Sequence, residues 1–195
     1  MTLFDRTLRG GSWQVIAIVT QGILQALVIA VLSRLLDQED FGLIAIALIV
    51  ITFFSALAQA GFGPALIQRR DLQTGHKNVA FFTTLAISLA GTLCLYFAAP
   101  FFARFFGDDR ITDVIRWTSL SVPFTVLGVV SRSLLERELE FKKVMWANTF
   151  GFVCGYAVFA VILAFLGYGI WSLVAGVFFQ NLLASLAMLF LASYR

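Results

Sequence analysis

Three glutamines, Gln14, Gln21 and Gln25, stand in one long apolar stretch. They are 7 and 11 positions apart, so at about 100° per residue all three fall within roughly 20° of one helix line. A buried amide is costly unless it is hydrogen-bonded, so such a line needs a partner surface or water. Thr52, Ser55, Gln59 and Gly63 make a similar stripe in the second apolar run, and Thr84, Ser88 and Gly91 in the third. Asn148 heads a fifth run that carries Gly151 and Gly155, and Gln180-Asn181 sits in the last. Two readings of these stripes stand side by side. They are the hydrogen bonds and close-packing patches of any helical bundle, or several of them converge on a wet central cavity. Packing is the better account of Gly151 and Gly155. For the first-span stripe our hypothesis is a cavity face, with Gln14, Gln21, Gln25, Thr52, Ser55 and Gln59 as its candidate lining.

No acidic residue and no lysine lies in the middle of an apolar run. Charges of that kind mark proton and ion pathways. An enzyme would need paired carboxylates or another reactive cluster. Asp37 and the pair Asp108-Asp109 read instead as loop and helix-start residues. No catalytic set, metal site or cofactor is expected, and one histidine, His76, cannot make a His-rich metal site. Cys94 and Cys154 sit inside apolar runs and read as buried free thiols. Charge gathers in Glu136-Arg137-Glu138-Leu139-Glu140-Phe141-Lys142-Lys143. A solvated loop is the ordinary reading of that run. The functional one is a basic rim of Arg69, Arg70, Arg132, Arg137, Lys142 and Lys143 that attracts a phosphate-bearing lipid head group.

Membrane helices must position these groups. Hydrophobic residues make up 60% of the 195 and charged residues 13%, against about 45–50% and about 25% in soluble domains. Mean hydropathy is +0.91. A span needs about 20 apolar residues, and its backbone must satisfy itself, which favours helices. Charge-free runs of 24 residues (10–33), 28 (41–68) and 26 (78–103) each hold one span. Between Arg116 and Arg132 only 15 residues are uncharged, so that span must extend over 111–134 with its ends snorkelling. The 51 uncharged residues of 144–194 hold two, turning at Gly167-Tyr168-Gly169. The expected architecture is all-α: a six-helix integral membrane bundle in one domain, with spans at about 11–34, 41–67, 78–105, 111–134, 144–166 and 169–192. Pro64 and Pro123 should interrupt the second and fourth. Trp13, Trp117, Trp146 and Trp171 fall near span ends, as interfacial anchors do.

Six spans put both termini on one side of the membrane. That side carries ten basic residues and the other four, Arg34, Arg104, Arg110 and Arg116. Basic loops favour the cytoplasm, so both ends should face it.

The stretch Ser33-Arg34-Leu35-Leu36-Asp37-Gln38-Glu39-Asp40-Phe41-Gly42, with Gly61 and Ala65-Leu66-Ile67-Gln68-Arg69 after it, resembles the polysaccharide biosynthesis and lipopolysaccharide exporters. These belong to the multidrug/oligosaccharidyl-lipid/polysaccharide exporter superfamily. Leu135-Glu136-Arg137 through Phe141-Lys142, and Gly167-Tyr168-Gly169-Ile170-Trp171-Ser172-Leu173, are similar to the same family. Gln38 stands where the family often has proline. The resemblance implies one lobe, the N-terminal half, of a MATE-like two-lobe transporter of about twelve to fourteen helices. It further implies a flippase of the bacterial inner membrane that exports lipid-linked oligosaccharide by alternating access. Its partners would be the lipid bilayer, the lipid-linked oligosaccharide, and a missing C-terminal lobe or a second copy, with no nucleic acid. The alternatives are a MATE-type drug/cation antiporter, which generally couples ions through embedded acids, and a non-transporting scaffold or pathway enzyme subunit.

Overall fold

The computed structural model describes residues 3–59, 74–138 and 140–193, with side chains over 18–56 and most of 83–192. Among the described residues every regular element is helical: α1 Leu3–Leu32, α2 Gln38–Gln59, α3 Thr74–Phe106, α4 Arg110–Ser119 and α5 Ser121–Arg137. Then come α6 Phe141–Phe150, a π-helical segment Gly151–Ala157, α7 Val158–Phe165 and α8 Ile170–Ser193. Five of the rods so formed are long and apolar enough to cross a membrane: Gln38–Ala56, Leu85–Phe106, Arg110–Ser133, Phe141–Phe165 and Ile170–Ala192. The apolar stretch of α1 with described side chains, Ile18–Leu32, is shorter. The Gly63-Pro64 break lies outside the described residues.

Glycine ends two of these rods. At Gly167 (φ 81°) the helix closes in a double bond pattern, Gly167 N–H to Ala164 O at 3.0 Å and Tyr168 N–H to Leu163 O at 3.1 Å. Only glycine enters this left-handed geometry without steric cost. Gly107 (φ 75°) ends α3 in the same left-handed region, with its own N–H (2.8 Å) and that of Asp108 (3.2 Å) both donating to Ala103 O. The turns that follow α1, α3 and α7 share one end of the bundle. Arg110 at the head of α4 pairs with Glu39 at the head of α2 (3.0 Å). Asp40 Oδ2 lies 3.5 Å from where a Gly169 side chain would begin.

Many large apolar side chains face outward, and alanines share the interior with leucine, isoleucine and valine. Phe97 is 76% exposed and Phe190 73%, while Ala47, Ala99, Ala103, Ala160 and Ala164 are buried. This is the arrangement expected in lipid. Hydrocarbon is as apolar as leucine, so helices associate through close packing and hydrogen bonds rather than by hiding apolar surface. Nine serines and threonines are accordingly among the buried residues. Ser185 on α8 donates to Phe124 O on α5, and a side chain at Gly128 would meet Ser185 Oγ at 2.8 Å. Cys94 is exposed on the outer face and Cys154 half-buried, both free. The expected burial of Cys94 is therefore corrected: an apolar run does not say which side of its helix meets lipid.

Pro123 breaks its rod one turn early, while Pro100 sits inside an unbroken helix. The fourth rod is interrupted at Leu120, between α4 and α5, and Pro123 sits in the first turn of α5. A proline has no N–H for the carbonyl four residues back and crowds it, which here is Ser119 O. The buried Thr92 hydroxyl lies 2.9 Å from Ser88 O and 3.4 Å from Ser119 O. Pro100 inside α3 deprives Tyr96 O in the same way. Arg116 Nε reaches that carbonyl at 3.4 Å, with its guanidinium carbon 4.8 Å from the centre of the Tyr96 ring. Hydrogen-bonding and cation–π contact thus hold one charge against the apolar wall.

Candidate functional site

Gln21 and Gln25 lie one helical turn apart on α1, and Thr52 and Ser55 one turn apart on α2. All four line one cavity of about 510 Å³. Its other walls are Ser121 and Thr125 from α5, Phe152 and Tyr156 from the π-helical segment, and Gln180 and Asn181 from α8. Apolar closure comes from Leu48, Ile51, Ala56 and Val177. Nine of the fourteen lining residues carry an uncharged polar group, and none is charged. The side chains of Gln14 and Gln59 fall outside those described.

Ser121 and Thr125 donate their hydroxyls to their own helix, to Thr118 O at 2.7 Å and to Ser121 O at 3.1 Å. A hydroxyl used this way keeps acceptor lone pairs. The amides of Gln21, Gln25, Gln180 and Asn181 behave differently, since no hydrogen bond among the described residues uses them. No buried side-chain nitrogen or oxygen among the described residues lacks a partner. Both facts hold because these amides open on the cavity. Each offers donors and an acceptor there.

The π-helical segment owes its place to glycine. A side chain at Gly155 would come within 2.5 Å of Gln180 Cα, and one at Gly151 within 2.6 Å of Ala184 Cβ. The two backbones therefore touch, and Phe152 and Tyr156, each next to one of those glycines, line the cavity beside Gln180 and Asn181. Their rings stack at 5.5 Å with 19° between planes.

Other expected groups lie elsewhere. Ser88 is buried and turns its hydroxyl back to Leu85 O (2.8 Å), and neither Ser88, Gly91 nor Asn148 is among the cavity's lining, while the Thr84 side chain falls outside those described. Of the basic rim, Arg132 pairs with Glu136 (2.7 Å) and Lys143 with Glu140 (3.5 Å). Lys142 is exposed on the first turn of α6. Arg69, Arg70 and the Arg137 side chain fall outside those described. Sequence reading missed Ser121, Thr125 and Tyr156 as wall residues. Ser121 and Thr125 flank Pro123 one turn apart, a small signal that only the helix break makes readable. A second concavity of about 650 Å³, among Trp117, Leu120, Tyr168, Trp171, Phe178 and their neighbours, is nearly all apolar. Trp117 and Trp171 meet there edge to face at 6.4 Å.

At the shared turn end, Asp108 Oδ1 accepts the Arg110 N–H (2.9 Å), and its carboxylate also pairs with the Arg110 guanidinium. These bonds hold the Asp108 carboxyl below the ordinary carboxylate range. Asp108, not Asp109, is thus the residue whose side chain caps α4, since Asp109 makes no capping bond.

A bundle of long apolar helices with an apolar outer face and an uncharged polar cavity defines a multi-pass membrane protein. The family model described as polysaccharide biosynthesis protein matches residues 31–195, and the chain belongs to that family. It is 34% identical over 180 residues to the succinoglycan biosynthesis transport protein ExoT of Rhizobium meliloti (strain 1021), covering 89% of this chain and 35% of that protein. It is 24% identical over 159 residues to the lipopolysaccharide biosynthesis protein WzxC of Escherichia coli (strain K12), covering 80% and 32%. Against the teichuronic acid biosynthesis protein TuaB of Bacillus subtilis (strain 168) it is 23% identical over 195 residues, 100% of this chain and 40% of that protein. The chain thus spans about a third of the length of the first two relatives. No solved structure matches it.

Proposed function

We propose that the chain is one six-helix lobe of a carrier, not an enzyme, that moves lipid-linked oligosaccharide across the bacterial inner membrane by alternating access. The observation that carries this reading is the cavity: nine uncharged polar residues from five elements, inside a bundle whose outer face is apolar. Sugars cannot cross hydrocarbon unaided, so a path must offer them hydrogen bonds while the lipid tail stays outside. Family membership and a relative named as a transport protein support it. That relative is about two and a half times as long, so a second lobe would complete the path, and the 195 residues alone are expected not to flip substrate. The basic rim would face the cytoplasm with both termini, and its cations would meet the phosphate end. A carboxylate-coupled antiporter is disfavoured by a lining that has no carboxylate among the described residues.

The test is thiol accessibility in proteoliposomes, in a chain carrying Cys94→Ala and Cys154→Ala. Gln21→Cys, Gln25→Cys and Thr52→Cys should react with a water-soluble maleimide, and the outward-facing Phe97→Cys should not. Complete protection of the three cavity positions would remove the wet path and the carrier with it.

A further inference from the structure

We propose that Tyr156, with Phe152 stacked on it, is the stacking platform for one uncharged sugar ring, and that this cavity reads sugar hydroxyls rather than phosphate. The proposal rests on the carrier reading above and adds to it the substrate feature and the residue that recognises it.

Three observations carry it. The first is charge. Phosphate is bound by arginine, lysine or converging backbone N–H groups, and no cation lines this cavity among the described residues. The four amides, in contrast, both donate and accept, which is what a pair of neighbouring sugar hydroxyls requires. The second is the mixed surface. A pyranose ring is amphipathic, with hydroxyls round its edge and C–H groups on its faces. Its recognition needs an aromatic face set among hydrogen-bonding groups. Tyr156 is half-buried beside Gln180 and Asn181, and buried Phe152 fixes its plane at 19°.

The third is backbone geometry. Tyr156 stands on the π-helical turn Gly151–Ala157, and such turns recur at functional sites because they re-aim side chains at some cost in regular bonding. Opposite it, Gly176 is buried, and a side chain there would begin 3.0 Å from Tyr156 Cδ2. The space that glycine leaves is filled by the edge of the ring. The aromatic group is therefore seated by two elements at once.

The experiment follows maleimide labelling of Thr52→Cys in the full 195-residue chain, in the cysteine-free background, while probes compete. The probes are neutral trisaccharides built from glucose, galactose or N-acetylglucosamine, and inorganic pyrophosphate at matched ionic strength. At least one trisaccharide should slow labelling, and pyrophosphate should not. Tyr156→Phe keeps the ring and should leave the half-protecting concentration within about twofold. Tyr156→Leu should raise it about three- to tenfold, from the usual strength of aromatic contacts. Gln25→Leu, at an exposed position, removes one amide without touching the packed seam and should also weaken trisaccharide protection. It keeps the test decisive if Tyr156→Leu fails to fold. Protection by pyrophosphate equal to that by sugar, or a Tyr156→Leu chain protected like its parent, overturns the proposal. If Thr52→Cys, Gln21→Cys and Gln25→Cys all fail to label even without probe, the carrier reading fails. If Thr52→Cys labels and no trisaccharide protects, this inference fails alone.

Discussion

Gly155→Ala is the sharpest single test of how the cavity wall is built. The added methyl would lie 2.5 Å from both Cα and N of Gln180 and 2.6 Å from the Phe179 carbonyl carbon. All three are backbone atoms, so no rotamer change relieves the clash. Reaching an ordinary 3.4 Å contact requires the π-helical segment and α8 to part by about 0.9 Å locally. A gap of about 0.5–1 Å forfeits roughly a quarter to a half of the dispersion attraction along a packed seam. Overpacking of this kind costs about 1–3 kcal/mol, while alanine's better helix propensity returns at most about 1 kcal/mol. The clash wins, and the net loss should be about 1–2 kcal/mol. Gly91→Ala is the control, because nothing lies within 4 Å of its added carbon. Reversible unfolding in mixed micelles, followed by circular dichroism, gives both values. Parting the seam also moves Gln180 and Tyr156, so Gln25→Cys labelling should change rate in the Gly155→Ala chain. A Gly155→Ala protein as stable as Gly91→Ala, with labelling unchanged, would refute the close contact of backbones.

Two further outcomes follow from the turns and kinks. Arg116→Ala should destabilise by about 0.5–1 kcal/mol, as loss of one hydrogen bond to a carbonyl does. The loss should shrink in a Pro100→Ala background, where a new N–H can serve Tyr96 O; additive effects in that double-mutant cycle would disprove the link. The pH dependence of stability should carry a contribution from Asp108. Its folded carboxyl titrates below the ordinary value of 3.8, so its contribution is full above that value and is lost as pH falls through the lowered one. Acid titration of the thermal midpoint should show that limb in the parent and not in Asp108→Asn.

What could be read without a structure was what depends on local sequence alone. Run length and composition determine that these segments are helices suited to lipid, and the turn at Gly167–Gly169 follows from glycine's freedom at positive φ. The family-like motifs around Ser33–Gly42 and Gly167–Leu173 were legible for the same reason. Gln21, Gln25, Thr52 and Ser55 were picked by helical periodicity, and each pair shares a face whatever the tertiary arrangement.

Only the folded bundle decides which faces meet. A membrane helix is apolar all round, so nothing in its pattern says that Cys94 looks outward or that buried Ser88 lies away from the cavity. The interruption at Leu120 brings Ser121 and Thr125 into the wall. The contact of Gly155 with Gln180 goes with the π turn that carries Tyr156. The stripe of glutamines was therefore half of a feature. Packing between α1, α2, α5, the π-helical segment and α8 supplied the aromatic ring and the facing amides, because close approach is a property of two backbones and is written in neither one.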